Sequence, residues 1–256
     1  MYLQCVGTGT PAIVLISGYG DRADVWDTVF QELSKTTRTC AYDRPGTHGG
    51  KNGSEKSRST PVPQPVTATS AATDLKNLLE AAHESGPFVI AGHSYGGPIA
   101  RIFTSHYPER VAGLVLVDGL SEDLKAGLTD EQWKTYERLN EPATKGNPDY
   151  EEVNWAEVFK ELGQISTTPA IPVIVLSADE PQLTDEVLAS GQLPAGVNKA
   201  FADAVWAAQM RAQEKLATRF PDAKHITKMH SSHYIQAIRP QIVIDSVREV
   251  LAKARK

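Results

Sequence analysis

The chain has 256 residues, of which 26 are Lys or Arg and 31 Asp or Glu, giving a formal net charge of -5. Hydrophobic residues make up 41% and charged residues 22%, so the chain can bury a full core without a metal or disulfide staple. Mild acidity with scattered basic residues argues against a nucleic-acid surface, and no run approaches the ~18 apolar residues of a membrane span.

Apolar runs of strand length alternate with longer helical patterns, which predicts an α/β fold with a mostly parallel central sheet and helices on both faces. Tyr2 to Val6 reads as a strand and Gly7 to Pro11 as a turn. Ala12 to Ile16 is a continuous apolar run of the buried parallel kind. Asp24 to Ser34 reads as a helix, with Asp24 as its cap. Arg38 to Tyr42 is the next strand. Gly46 to Val66 is rich in Gly, Ser, Thr and Pro and reads as a long, mobile surface loop. Thr69 to Glu84 is helical, Pro87 to Ala91 a strand, Gly96 to Tyr107 a helix and Val111 to Val117 a strand.

The alternation then lapses. Thr129 and Gln132 can form a capping box for a helix ending near Leu139, and Glu151 to Leu162 reads as a second helix. The strand Pro172 to Ser177, the helix Asn198 to Phe220, the strand Lys224 to Lys228 and the helix Pro240 to Ala254 restore the pattern. The expected organisation is one core domain, 1–119 with 172–256, carrying a helical cap or lid insertion at 120–171. Cys5 and Cys40 both fall in strands. Two free buried thiols are the expectation, with a disulfide between neighbouring strands as the alternative. No Cys/His group has metal-ligand spacing, so neither metal nor cofactor is expected.

The informative stretch is Gly92-His93-Ser94-Tyr95-Gly96. It follows an apolar strand and runs directly into a helix, which is the setting G-x-S-x-G requires. The chain must reverse within a few residues, and a side chain at Gly92 or Gly96 would collide with neighbouring backbone. Ser94 is thereby presented at a helix N-terminus, where unpaired N–H groups favour developing negative charge.

At this point the chain resembles the α/β-hydrolase superfamily, and within it bacterial esterase-like members with a short helical cap. Ile13 to Asp21 is similar to the strand and oxyanion loop of the family, with Ser17 where His is common. Cys40-Ala-Tyr-Asp-Arg-Pro-Gly resembles its D-x-x-G turn, and Ser231-Ser-His-Tyr its histidine loop. The sheet begins one strand later than in that family, so residues before Met1 are expected.

The resemblance implies Ser94 as nucleophile and His233 as general base and acid, with His230 as the rival histidine and His93 in a packing role. It implies an oxyanion hole from the backbone N–H groups of Tyr19 and Tyr95, with Gly18 and Gly20 permitting close approach. The acid is open. The usual position after Pro172 to Ala178 holds Pro181, leaving Asp179 and Glu180 displaced. Asp118, at the end of the strand after the nucleophile, is preferred, with Asp179 as rival and Glu122 and Glu180 behind it. Gly18, Trp133, Tyr136 and Trp155 are pocket candidates. The aromatic residues, Phe159 included, either floor the pocket or form the insertion's own core.

The expected activity is hydrolysis of a carboxylic ester, thioester or lactone through an acyl-enzyme. The alternatives are a ligand-binding, receptor-like protein on this scaffold, or a lyase or acyltransferase using the same triad. The expected partner is a small apolar ester-like substrate, with no nucleic acid and no membrane, and the protein is expected to be a monomer or homodimer. A cytoplasmic location is expected, with export after loss of a leader as the alternative.

Overall fold

The strands that carry unbroken apolar runs lie in the middle of the sheet, where both faces are covered. The computed structural model describes residues 1–50, 53–141, 145–166 and 169–255. In chain order the strands are β1 (Tyr2–Val6), β2 (Ala12–Ile16), β3 (Thr39–Asp43), β4 (His48–Gly49), β5 (Glu55–Lys56), β6 (Phe88–His93), β7 (Val111–Val117), β8 (Val173–Leu176) and β9 (Lys224–Ile226). Seven form one sheet in the order β1-β3-β2-β6-β7-β8-β9, with β4 and β5 as a separate hairpin. All neighbours in the large sheet run parallel except β1 against β3.

The helices are α1 (Asp27–Leu33), α2 (Ala68–Ala81), α3 (Gly96–His106), α4 (Asp123–Ala126), α5 (Asp130–Leu139), α6 (Trp155–Gly163), α7 (Asp185–Ala189), α8 (Lys199–Thr218), α9 (Ile235–Ile238) and α10 (Pro240–Ala254). Strand side chains alternate between faces, so each run feeds two cores. Val14, Ile16, Phe88, Ile90, Leu114 and Leu116 pack with α2 and α3. Ile13, Leu15, Val89, Ala91, Val115 and Val117 pack with α1 and α10 on the other face. A third cluster joins Leu120, Leu124, Trp133 and Phe159 to Ala208 and Ala212 of α8. The helices before β8 and the long helix after it therefore share one apolar layer. No helix among the described residues is long and apolar enough to cross a membrane.

Four expectations change. Asp24 lies inside a 3-10 turn, Ala23–Trp26, that precedes α1, and its carboxylate accepts from the Gly50 amide at 2.6 Å instead of capping the helix. The 46–66 segment is not a bare loop. It contains the β4–β5 hairpin, and Arg22 reaches Glu55 and the Lys56 carbonyl at 3.0 and 3.1 Å, although residues 51 and 52 lie outside the described set. The helix predicted from Glu151 begins at Trp155, with Asn154 as its cap. Residues 151–154 instead run as an extended strap, with the Glu151 amide on the Gly46 carbonyl and the Asn154 amide on the Val66 carbonyl.

The fourth change concerns the cysteines. Cys5 and Cys40 stand directly opposite each other in the β1–β3 ladder and are joined as a disulfide. The pairing depends on strand register, which a list of two cysteines does not contain. The bond closes a loop of sequence separation 35. Such a closure contributes about 2–4 kcal/mol through the unfolded state. Cys5→Ala/Cys40→Ala is expected to lower the free energy of urea unfolding by that amount, and an unfolding free energy equal to that of wild type would show the cross-link to be idle.

Candidate active site

Two glycines make the turn after β6 possible. A Cβ on Gly92 would lie 2.4 Å from the Gly96 carbonyl oxygen, and one on Gly96 would lie 2.3 Å from that of Ile16. Only hydrogen fits at either position. Between them Ser94 takes a φ of +50°, a conformation that side-chain-bearing residues seldom adopt. Ser94 stands just before α3, and Tyr95 is the helix N-cap, a position whose amide has no acceptor within the helix.

Asp118 follows the last residue of β7 and has a φ of +42°. Its own amide continues the ladder to Leu176 at 2.7 Å. Both carboxylate oxygens are engaged: Oδ1 accepts from the Ala178 amide at 3.1 Å, and Oδ2 lies 2.6 Å from His233 Nδ1. Asp118 is 3% exposed, so water contributes little to solvating it and its partners must.

His233 sits in the loop between β9 and α9. His93 Nε2 donates to the His233 carbonyl at 3.0 Å, which fixes the protonated nitrogen of His93 because a carbonyl only accepts. Burial holds the His93 imidazole well below its usual pKa, so it packs as a neutral ring. Asp179 serves the same loop differently. Its carboxylate accepts from the His230 and Ser231 amides at 3.1 and 2.9 Å. Burial opposes ionisation there, and the Ser231 and His230 amides with the nearby His230 side chain together outweigh it and lower the pKa. Asp179 thus holds the loop's backbone, and His230 turns its side chain outward. Glu122 is taken up in a bidentate pair with Arg101 at 2.7 and 3.0 Å.

The loop of residues 17–21, in which the sequence resemblance places an oxyanion donor, packs beside the elbow. A Cβ at Gly18 would lie 3.2 Å from that of Ser94. Arg44 and Glu151 grip this loop from behind. The Arg44 guanidinium reaches the Ser17 carbonyl at 2.8 Å and the Gly18 carbonyl, and Glu151 Oε2 accepts from the Gly20 amide at 2.8 Å. The two side chains pair at 2.6 and 2.9 Å and are 4% and 1% exposed. Burial alone would pull the guanidinium pKa down, but the Glu151 carboxylate more than compensates and keeps it charged.

A cavity of about 270 Å³ opens onto Ser94, Asp118 and His233. Tyr19, Leu120, Tyr136, Leu139, Val205 and Trp206 supply apolar and aromatic wall, while Asp21, Asn140, Glu180, Gln182 and Gln209 make it partly polar. Burial raises the Asp21 carboxyl to about 6. Of the aromatic candidates, Tyr136 faces the cavity. Trp133 is packed against Tyr136 and Phe159 in the helical layer, and Trp155 lies edge-on to Tyr19 and Tyr95 behind the loop. Neither lines the cavity: each ring packs behind a tyrosine that does, Trp133 behind Tyr136 and Trp155 behind Tyr19. Sequence reading missed the wall from α8, since Val205, Trp206 and Gln209 carry no motif. It also missed Glu151, whose place before a helix looks like an ordinary first-turn acid. Arg44 follows Asp43 in the turn after β3, and nothing near it in the sequence points to its partner Glu151.

This arrangement of sheet order, elbow and histidine loop agrees with the family comparison. The family model described as "alpha/beta hydrolase fold" matches residues 11–137. The chain belongs to the α/β-hydrolase superfamily. Over 119 residues it is 33% identical to a putative carbamate hydrolase, RutD, of Azorhizobium caulinodans, covering 46% of this chain and 41% of that protein. Over 289 aligned residues it is 22% identical to an AB hydrolase superfamily protein of Gibberella zeae, covering 96% and 87% of the two. A thermophilic esterase from Thermogutta terrifontis superposes with a TM-score of 0.63 at 18% identity, covering 100% of this chain and 94% of that one. At that identity the superposition speaks for the fold. The matched stretch is less than half the length of the first curated relatives.

Proposed function

We propose that the protein is a serine hydrolase of carboxylic esters, thioesters or lactones. The observation that carries this reading is the 2.6 Å contact of His233 Nδ1 with buried Asp118, in the same cavity as Ser94 on its elbow. Ser94 Oγ attacks the substrate carbonyl while His233 Nε2 takes its proton. The amides of Tyr95 and Tyr19 receive the oxyanion, helped by the N-terminus of α3. His233 then returns the proton to the leaving group, and water repeats the sequence on the acyl-enzyme. Asp118 holds Nδ1–H, so Nε2 stays free to accept. Its second oxygen, bound to Ala178, keeps the carboxylate from rotating away.

The cavity volume favours a substrate of modest size, and its mixed walls favour an acyl compound with polar groups over a purely apolar one. The helices α5 and α8, whose Tyr136, Leu139, Val205 and Trp206 line it, act as the lid over it. The Cys5–Cys40 disulfide supports an oxidising compartment over the cytoplasm.

A fluorophosphonate probe tests the reading. Stoichiometric labelling at neutral pH, mapped by mass spectrometry to the peptide containing Ser94, is the expected result. A protein that binds small acyl compounds but stays unlabelled would be a receptor on this scaffold instead. Products from an ester incubated with an alcohol acceptor separate hydrolysis from acyl transfer.

A further inference from the structure

We infer that the buried Arg44–Glu151 pair is a positioning device for the oxyanion hole, by which the strap between α5 and α6 controls transition-state stabilisation. The inference rests on the acyl-transfer reading above. The peptide unit is planar. The Gly18 carbonyl and the Tyr19 N–H belong to one rigid plane and point in opposite directions. Arg44 holds the carbonyl, so it aims the Tyr19 N–H away from itself. The next plane, Tyr19 to Gly20, is held at its other end by Glu151 through the Gly20 amide at 2.8 Å. The peptide planes on both sides of the Tyr19 Cα, the first of which carries the Tyr19 N–H, are therefore clamped by one ion pair. The positive charge on the Gly18 carbonyl also polarises that peptide and makes its N–H a stronger donor.

Glu151 comes from 131 residues further along the chain than Gly20. Its place depends on the strap. The Glu151 amide donates to the Gly46 carbonyl at 2.8 Å, Tyr150 stacks on His48 at 4.6 Å, and the Val66 amide donates to the Glu152 carbonyl at 2.8 Å. His48 in turn donates its own amide to the Gly20 carbonyl at 2.7 Å. A displacement of the strap would withdraw the carboxylate, leave Arg44 unpaired and release the loop. A pair of this kind is poor evidence for stability, because desolvation consumes most of the attraction and apolar replacements of similar volume are commonly neutral or better. What the apolar pair cannot do is hold three backbone groups of one loop, the Ser17 and Gly18 carbonyls and the Gly20 amide.

The test compares wild type, Arg44→Met/Glu151→Leu and Glu151→Gln. Each is read for melting midpoint, kcat and KM on p-nitrophenyl acetate, and the Ki of an aryl trifluoromethyl ketone. That inhibitor forms a hemiketal: Ser94 Oγ bonds to its carbonyl carbon, the π pair moves to oxygen, and the serine proton passes to His233. The double variant is expected to keep its midpoint while kcat falls about ten- to a hundredfold at nearly constant KM. Its Ki should weaken by the same factor as kcat. Glu151→Gln keeps an acceptor for the Gly20 amide but leaves Arg44 buried and unpaired, so it should melt lower than the double variant yet retain more kcat. The inference is overturned if kcat follows the melting midpoint across the two variants, or if KM rises with kcat unchanged. A wild type that neither turns over the ester nor binds the ketone would overturn the acyl-transfer reading itself.

Discussion

Ser94→Ala should reduce turnover of a short p-nitrophenyl ester by about 10⁵–10⁶-fold, leaving only the residual catalysis of the oxyanion site. The substitution removes one oxygen at a position whose backbone is strained with serine or alanine alike, since φ is +50° and both residues carry a Cβ. The fold should therefore survive, with a melting midpoint within a few degrees of wild type. Substrate affinity should also survive, because the cavity wall from Tyr136, Val205 and Trp206 is untouched. Loss of kcat with retained binding is the expected pattern. Undiminished turnover by a folded Ser94→Ala protein would remove the nucleophile assignment and the serine mechanism with it.

The second large effect separates two aspartates that sequence alone left in competition. In Asp118→Asn the Ala178 amide still requires an acceptor, so the carboxamide oxygen takes the place of Oδ1 and the NH2 group faces His233. That group donates to Nδ1, which forces the proton onto Nε2 and leaves the ring unable to accept from Ser94. A loss of about 10⁴-fold in kcat is expected from the inverted tautomer. Asp179→Asn should do far less. It weakens one of two loop contacts, to His230 or Ser231, and should lower kcat by less than about tenfold. If the Asp179 variant dies and the Asp118 variant works, the orienting acid has been misassigned.

The elements that position this site were readable wherever a local pattern had one physical meaning. The strand Val111–Val117 and the helix Pro240–Ala254 occur with the predicted bounds, because an unbroken apolar run and a proline-started amphipathic repeat each admit one economical burial. The capping box of Thr129 with Gln132 is likewise present as expected. The strap at 151–154 was misread as helix because its helical propensity is ordinary. What overrides it is the backbone pairing with Gly46 and Val66, which are remote in sequence.

By itself the sequence determined the alternating architecture, the elbow around Ser94 and the small set of histidines and acids worth weighing, because each depends on residues adjacent in the chain. Only the tertiary structure decided which acid meets His233. Asp118 and Asp179 both lie just past strand ends near the histidine loop, and they differ in whether they face its imidazole or its backbone amides. The same holds for Cys5 with Cys40, matched by antiparallel register, and for Arg44 with Glu151, matched by the path of the strap. These pairings depend on the relative placement of segments distant in sequence, set by the packing of the whole sheet and its helical layers, and no local pattern encodes that distance.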